Sequence, residues 1–254
     1  MRVLLTRPQG KGDQLAQLLT PVVDFVAQQS VIEIKAGPDM SEIAAKCQQM
    51  PDILLFVSTN AVAFLQHAIG DNIPLSTQLA QHCVFIAVGH TTAKALQSWL
   101  KVDVLTPAIE TSEGVLQLEQ VQQEAIAGKR VVIVRGVGGR KLLAQQLSKR
   151  QAKVSYWQMY QRQAIENQGM LWWQQWQQWQ IDTIVVTSVA IATAIVEGLP
   201  KQAKSWWSQL CWVCASQRIV DALAQFGVNK NLIYDAKGAN NEALLRQIKI
   251  IIED

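Results

Sequence analysis

The chain has 254 residues, of which 49% are hydrophobic and 17% charged, and a formal net charge of +3. This is the composition of a soluble globular protein of one or two domains, and it excludes a disordered chain. The small basic excess is dispersed, with no basic run interleaved with aromatics, so nucleic acid is not an expected partner and an anionic small molecule is a compatible one.

In chain order, "MRVLLTRPQGKGDQLAQLL" reads as a strand, a loop and a helix. "DILLFVSTNAVAFL" from Asp52 is an apolar run that ends in Ser before a helix-like segment, and "AVGHTTAKAL" from Ala87 follows the same plan. In "ETSEGVLQL" from Glu110, Ser112 has the look of an N-cap. "KRVVIVRGVGGRKLLAQQL" then restates the opening at a constant offset of 128 residues, matching Arg2 to Arg130, Arg7 to Arg135 and Gly10 to Gly138. The restatement continues. "DTIVVTSVAIATAI" from Asp182 answers the Asp52 segment, "CASQRIVDAL" from Cys214 answers the Ala87 segment, and "GANNEALLRQI" from Gly238, capped by Asn240 or Asn241, loosely answers the Glu110 segment. Short, continuously apolar strands alternating with helices predict two similar α/β units with buried parallel sheets.

That arrangement locates candidate residues. In open parallel sheets ligands sit beyond the carboxyl ends of the strands, where helix N-termini offer free N–H groups and a favourable dipole to anions. The loops in question begin near Thr6 and Arg7, near Ser58 and Thr59, near Gly89 and Thr91, at Arg135 to Arg140 with Gly138 among them, near Ser188, and near Ser216 and Arg218. Their hydroxyls, N–H groups and arginines suit carboxylates or phosphates. Arg7 and Arg135 read equally as surface guanidiniums with buried stems, and Ser58 and Ser188 as simple helix caps.

Other signals lead away from chemistry. "RGVGGR" after a strand lacks the G-x-G-x-x-G spacing, and the next strand ends without an acid for a ribose, so no dinucleotide is expected. Cys211 and Cys214 lie three apart on a strand-like run and read, with the other two cysteines, as reduced core residues. The three histidines are scattered, so no metal centre is expected, and no Ser/His/Asp spacing specifies a hydrolase. The apolar stretch from Ile184 to Val196 is interrupted by Thr187, Ser188 and Thr193 and falls short of a spanning helix. With no signal-peptide pattern at the N-terminus, the cytoplasm is the expected compartment. In "LWWQQWQQWQ", Trp172, Trp176 and Trp179 form one stripe at helical spacing, which predicts core packing with the glutamines outward; Trp173, Trp206 and Trp207 are expected to be partly exposed.

Taken together, "VLLTRP", "DILLFVSTNAV", "AVGHTTAKAL", "VLTPAIETSEGVLQL", "VVIVRGVGGRKLLAQQL", "QMYQR" and "VVTS" followed by "ASQRI" resemble the uroporphyrinogen-III synthase family over essentially the whole chain. The Trp/Gln helix has no assigned role in that pattern. The resemblance implies two flavodoxin-like parallel-sheet domains joined by a two-stranded linker, with the active site in the cleft between them. One domain would be discontinuous, roughly residues 1–35 plus 163–254, and the other roughly 39–155, with linker strands at about 30–37 and 155–162.

The resemblance also implies a cofactor-free, metal-free reaction of tetrapyrrole (haem) biosynthesis. Hydroxymethylbilane would lose its hydroxyl to give an azafulvenium cation, ring D would attack through its substituted carbon to form a spiro intermediate, and reclosure would leave ring D inverted. Because the substrate closes spontaneously to the wrong isomer, the protein's main task would be to impose a conformation. Tyr160 matches the family tyrosine proposed to assist departure of the hydroxyl, a step for which a phenol can donate without first becoming charged. The implied enzyme is a monomeric lyase that binds hydroxymethylbilane and makes transient contact with the preceding enzyme of the pathway, with neither nucleic acid nor membrane as partner. The alternative from another class is a two-domain, hinge-closing binding protein for an anionic small molecule, without catalysis.

Overall fold

A computed structural model describes residues 1–70 and 73–253. In chain order the elements are β1 (Arg2–Leu5), α1 (Asp13–Leu19), β2 (Phe25–Gln28), β3 (Ile32–Ala36), α2 (Ile43–Cys47), β4 (Ile53–Phe56), α3 (Thr59–Ile69), α4 (Ile73–His82), β5 (Val84–Ala87), α5 (His90–Leu100), β6 (Val104–Leu105), α6 (Ser112–Val115), α7 (Gln123–Ile126), β7 (Arg130–Gly136), α8 (Leu142–Lys149) and β8 (Lys153–Ala164). They continue with α9 (Gly169–Gln178), β9 (Thr183–Val186), α10 (Val189–Gly198), α11 (Lys204–Trp207), β10 (Cys211–Cys214), α12 (Gln217–Phe226), β11 (Ile233–Asp235) and α13 (Asn241–Glu253). The chain divides into two compact units, Met1–Ile34 with Gln163–Asp254 and Lys35–Arg162.

The first unit is built on a five-stranded sheet in the order β2-β1-β9-β10-β11, with every pairing parallel. Successive residues of a strand face opposite sides, so a sheet covered on both faces needs apolar side chains throughout. β1 meets that need. Leu4 packs with Ile184, Trp212 and Ile195 on one side, while Val3 and Leu5 pack with Leu15, Leu19 and Leu244 on the other.

The tryptophan stripe docks as its spacing requires. Trp172 and Trp176 are buried and lie parallel at 6.1 Å, Trp206 adds a tilted ring 6.4 Å from Trp176, and Trp179 meets Phe25 at 6.0 Å. Burial of such rings brings the largest apolar areas available to a core. Gln174, Gln177 and Gln178 are exposed, as expected. Trp207 departs from expectation: it is only 3% exposed, and its carbonyl accepts the indole N–H of Trp212 at 3.0 Å. The residue closes the floor beneath β10, a role that its short helix, α11, gives no periodic signal for.

The second unit carries the order β8-β7-β4-β5-β6, again parallel, with β3 added beside β8. Ile165 N–H donates to Val31 at 3.0 Å and Gly37 N–H to Met159 at 2.9 Å, so β3 and β8 run in opposite directions. Ile53, Leu55, Ile133 and Leu147 fill one side of this sheet, and on the other the rings of Phe56 and Phe85 stack at 6.5 Å. Position by position the two sheets correspond: β2 to β8, β1 to β7, β9 to β4, β10 to β5 and β11 to β6. The internal repeat is therefore a repeat of sheet positions, entered at a different strand in each unit. Its last member is the exception. α13 is a 13-residue helix capped by Asn240, whose Oδ1 accepts from Ala243 N–H at 2.8 Å, whereas α6 stops after 4 residues. The cap of α6 is also Thr111 rather than the expected Ser112, with Gly114 N–H donating to Thr111 Oγ1 at 3.0 Å.

The stretch from Ile184 to Val196 forms β9, a turn and α10. No helix among the described residues is long and apolar enough to cross a membrane.

Candidate active site

In a doubly wound sheet, the crevice that accepts ligands opens at the carboxyl ends where the strand order reverses. In the second unit the reversal falls between β7 and β4. A pocket of about 280 Å³ opens there, lined by Ser58 beyond β4, by Arg135 and Gly136 at the end of β7, by Gly138 and Arg140 in the loop that follows, and by Tyr160 and Arg162 of β8. Of the residues that sequence points to, the structure thus gathers Ser58, Arg135, Gly138, Arg140 and Tyr160 in one place.

A β-bulge brings Tyr160 there. β8 follows β7 in register until Arg135 pairs with Gln158; the next pair is Gly136 with Tyr160, which leaves Met159 over. Bulges re-aim side chains, and here the ring of Tyr160 turns over Gly136. A Cβ on Gly136 would lie 2.5 Å from Cε2 and 2.6 Å from Cζ of that ring, so the seat exists only because residue 136 is glycine. Phe64 closes the far side at 5.9 Å between centroids. The ring is 3% exposed. Its hydroxyl lies 3.0 Å from Ser58 Oγ.

Ser58 has extended backbone and caps α3, accepting the N–H of Ala61 at 3.2 Å. Thr59 is the first residue of that helix, and both are half-buried.

The loop after β7 is turned by Gly138 and Gly139, at φ 79° and 83° in the left-handed region that favours glycine. Arg135 folds back across this loop, donating from Nε to the Gly136 carbonyl at 3.1 Å and from Nη1 to that of Arg140 at 3.0 Å, with its guanidinium 5.0 Å from the ring centre of Tyr156. Two of its five N–H groups are thereby engaged. Arg140 is exposed and pairs with Glu113 at 2.6 Å. The Glu113 carboxyl is held below the usual carboxylate range by the N–H of its own residue and then by Arg140. The guanidinium of Arg162 lies 5.6 Å from the ring centre of Tyr160. Sequence reasoning passed over Arg162, yet a signal existed: two positions beyond Tyr160 on a strand, it shares that residue's face. Three arginines and one carboxylate make an edge suited to carboxylate ligands.

The remaining candidates do not line that pocket. Gly89 caps α5, in space that a side chain would contest with Glu110, and Thr91 is exposed in the first turn of that helix; neither lines the pocket. In the first unit the strand order reverses between β1 and β9. There Thr6 is fully buried and its hydroxyl donates to the Val185 carbonyl at 2.7 Å. Arg7 ties the loop after β1 to the start of α13, donating to Asn241 Oδ1 at 2.6 Å, to the Ala239 carbonyl, and to Lys11 at 3.3 Å. Burial lowers its pKa from the ordinary value. Ser188 caps α10 through the Ile191 N–H at 3.2 Å. Ser216 stands at the N-cap of α12 with no side-chain cap bond, and Arg218 is exposed in that helix's first turn.

Comparison with known proteins gives one answer. The family model described as uroporphyrinogen-III synthase HemD matches residues 26–246. The uroporphyrinogen-III synthase of Salmonella typhimurium is 31% identical over 256 residues, covering 98% of this chain and all of that protein. The Escherichia coli protein of the same name is 31% identical over 253 residues with the same coverage. Among solved structures, uroporphyrinogen-III synthetase from Helicobacter pylori aligns over 99% of this chain and 100% of its own with a TM-score of 0.64 at 15% identity, a likeness of fold. The chain belongs to the uroporphyrinogen-III synthase family.

Proposed function

We propose that this protein is a lyase that converts hydroxymethylbilane to uroporphyrinogen III with inversion of ring D. The overall change releases one water and moves no electrons to or from an external acceptor, so no cofactor is needed for its balance. The observation that carries the reading is the hydroxyl of Tyr160 at 3.0 Å from Ser58 Oγ, in a pocket edged by Arg135, Arg140 and Arg162. It sets a proton donor beside groups that bind carboxylates, which is what a substrate with a leaving hydroxyl and acetate and propionate arms calls for.

At about 280 Å³ the pocket lies near the lower end of the roughly 300–1,000 Å³ of drug-sized sites, so it accounts for one ring and its arms. Thr59 and Gly138 would meet the ligand with the arginines, Ser58 would stand behind Tyr160, and Gly89 and Thr91 would extend the same edge of the sheet. Because the substrate closes on its own to the type I isomer, a transient hand-over from the preceding enzyme of the pathway, in the cytoplasm, would limit that loss.

The test is to supply hydroxymethylbilane, oxidise the products and separate the type I and type III porphyrins. Type III product is expected. Type I alone would leave a protein that binds without catalysing and would overturn the reading.

A further inference from the structure

Ser58 has two tasks at one oxygen. It accepts the Ala61 N–H that begins α3, at 3.2 Å, and it lies 3.0 Å from the hydroxyl of Tyr160. A hydroxyl has one proton to donate and two lone pairs. The cap occupies one lone pair, which leaves Ser58 its proton and one lone pair for Tyr160. Two hydroxyls joined by one hydrogen bond hold two protons, and only one of them lies in the bond. Among the described residues the pair has no other hydrogen-bond partner than Ala61, and both side chains line the pocket. The second proton is therefore available on the pocket side.

We propose that Ser58 is a positioning residue: it donates its O–H to the phenolic oxygen of Tyr160, turns the phenolic proton toward the ligand, and holds that oxygen as negative charge builds on it. This rests on the reading that Tyr160 assists departure of the substrate's hydroxyl. In that step the phenolic proton passes to the leaving oxygen as its bond to carbon breaks. The bonding pair leaves with the oxygen as water, the pyrrole becomes an azafulvenium cation, and Tyr160 is left as phenolate. The proton released when the closed macrocycle regains aromaticity returns to it. Ser58 meanwhile links the phenolate to the N-terminus of an 11-residue helix, the end that favours negative charge.

The assay measures kcat and KM with isomers resolved for Ser58→Ala, Ser58→Gly, Ser58→Thr, Tyr160→Phe and the Ser58→Ala/Tyr160→Phe double variant. Glycine is included because it costs the helix end little while removing the hydroxyl. Ser58→Ala and Ser58→Gly are expected to lower kcat about tenfold, the scale of a hydrogen bond to a charged group, with KM little changed. Ser58→Thr should restore most of the rate, and the double variant should be no slower than Tyr160→Phe alone, since the serine acts through the tyrosine. Losses that multiply, or a raised KM at unchanged kcat, would overturn the proposal and mark a cap or a substrate contact instead. Wild-type protein that yields only the type I isomer would overturn the functional reading itself, and this proposal with it.

Discussion

The two points where strand order reverses are built from matching sequence and end differently. After β1, the hydroxyl of Thr6 bridges to β9 at Val185, and Arg7 is drawn away to the start of α13. Near the end of β7, the residue matching Thr6 at the offset of 128 is Val134, which has no hydroxyl to donate, and Arg135 stays over the loop that follows. The serines across the two crevices show the same divergence. Ser58 and Ser188 cap their helices at the same 3.2 Å, yet only Ser58 meets a tyrosine. Equal local sequence produces equal caps; what a strand end can do chemically depends on what the neighbouring strand brings to it.

The largest expected effect comes from closing the open crevice. Gly136→Ala puts a Cβ at 2.5 Å from the Tyr160 ring, so the ring must leave its seat. Overpacking of this kind costs about 1–3 kcal/mol of stability, and activity should fall at least as far as in Tyr160→Phe, measured by single-turnover kinetics beside denaturant unfolding. Tyr160→Phe itself removes the donor without moving the ring. General acid assistance contributes about 10²- to 10⁴-fold, and the electron-rich pyrrole already helps hydroxide depart, so a loss of about 10²-fold or less is expected. A complete loss of turnover would replace a conformational template with a dedicated acid catalyst.

Arg135→Ala sharpens the contrast between the two arginines. With N–H groups still available at the pocket, Arg135 should show its loss as KM raised about tenfold or more, the scale of one charge-assisted bond. An unchanged KM would assign it to loop structure. Thr6→Val probes the crevice of the first unit: removal of the bond to Val185 is expected to cost about 1 kcal/mol in unfolding free energy, with KM unaltered. A raised KM would bring Thr6 back to the ligand.

The smallest effect tests whether the two units differ in their thiols. Burial raises Cys47 from 9.0 to about 12 and Cys83 and Cys211 to about 11, and Cys214 higher still. These groups fold as neutral thiols, so their contribution is complete below pH 9 and is lost as pH rises through 11 and 12. Unfolding free energy should show almost no cysteine-dependent slope from pH 7 to about 8 and should fall with pH from about 9 upward. Native protein should react with maleimide at about pH 8 far more slowly than unfolded protein, in both units alike.

Much of the architecture could be read from residue pattern. Continuous apolar runs gave the strands, the Ser-ended runs gave two capped helices, and the tryptophan spacing gave the inward face of α9. The shortened partner of α13 could not be read: α6 ends at Val115, and its Gly114 lies against the Ile109 carbonyl, where a side chain would collide. The burial of Trp207 was equally hidden, since the Trp212 indole that bonds its carbonyl sits on a different element.

The same division holds at the candidate site. Periodicity and capping are properties of neighbours in the chain, and so sequence alone determined the strand ends, the glycine-turned loop after β7 and the serine at the head of α3. Tertiary structure decided the use of those groups, because hydrogen bonds and ring contacts join residues 102 apart for Ser58 and Tyr160 and 234 apart for Arg7 and Asn241. A bulge that skips Met159, and a glycine across the ladder from it, turn Tyr160 toward Ser58. No local rule specifies that meeting, since it depends on which strand lies beside which.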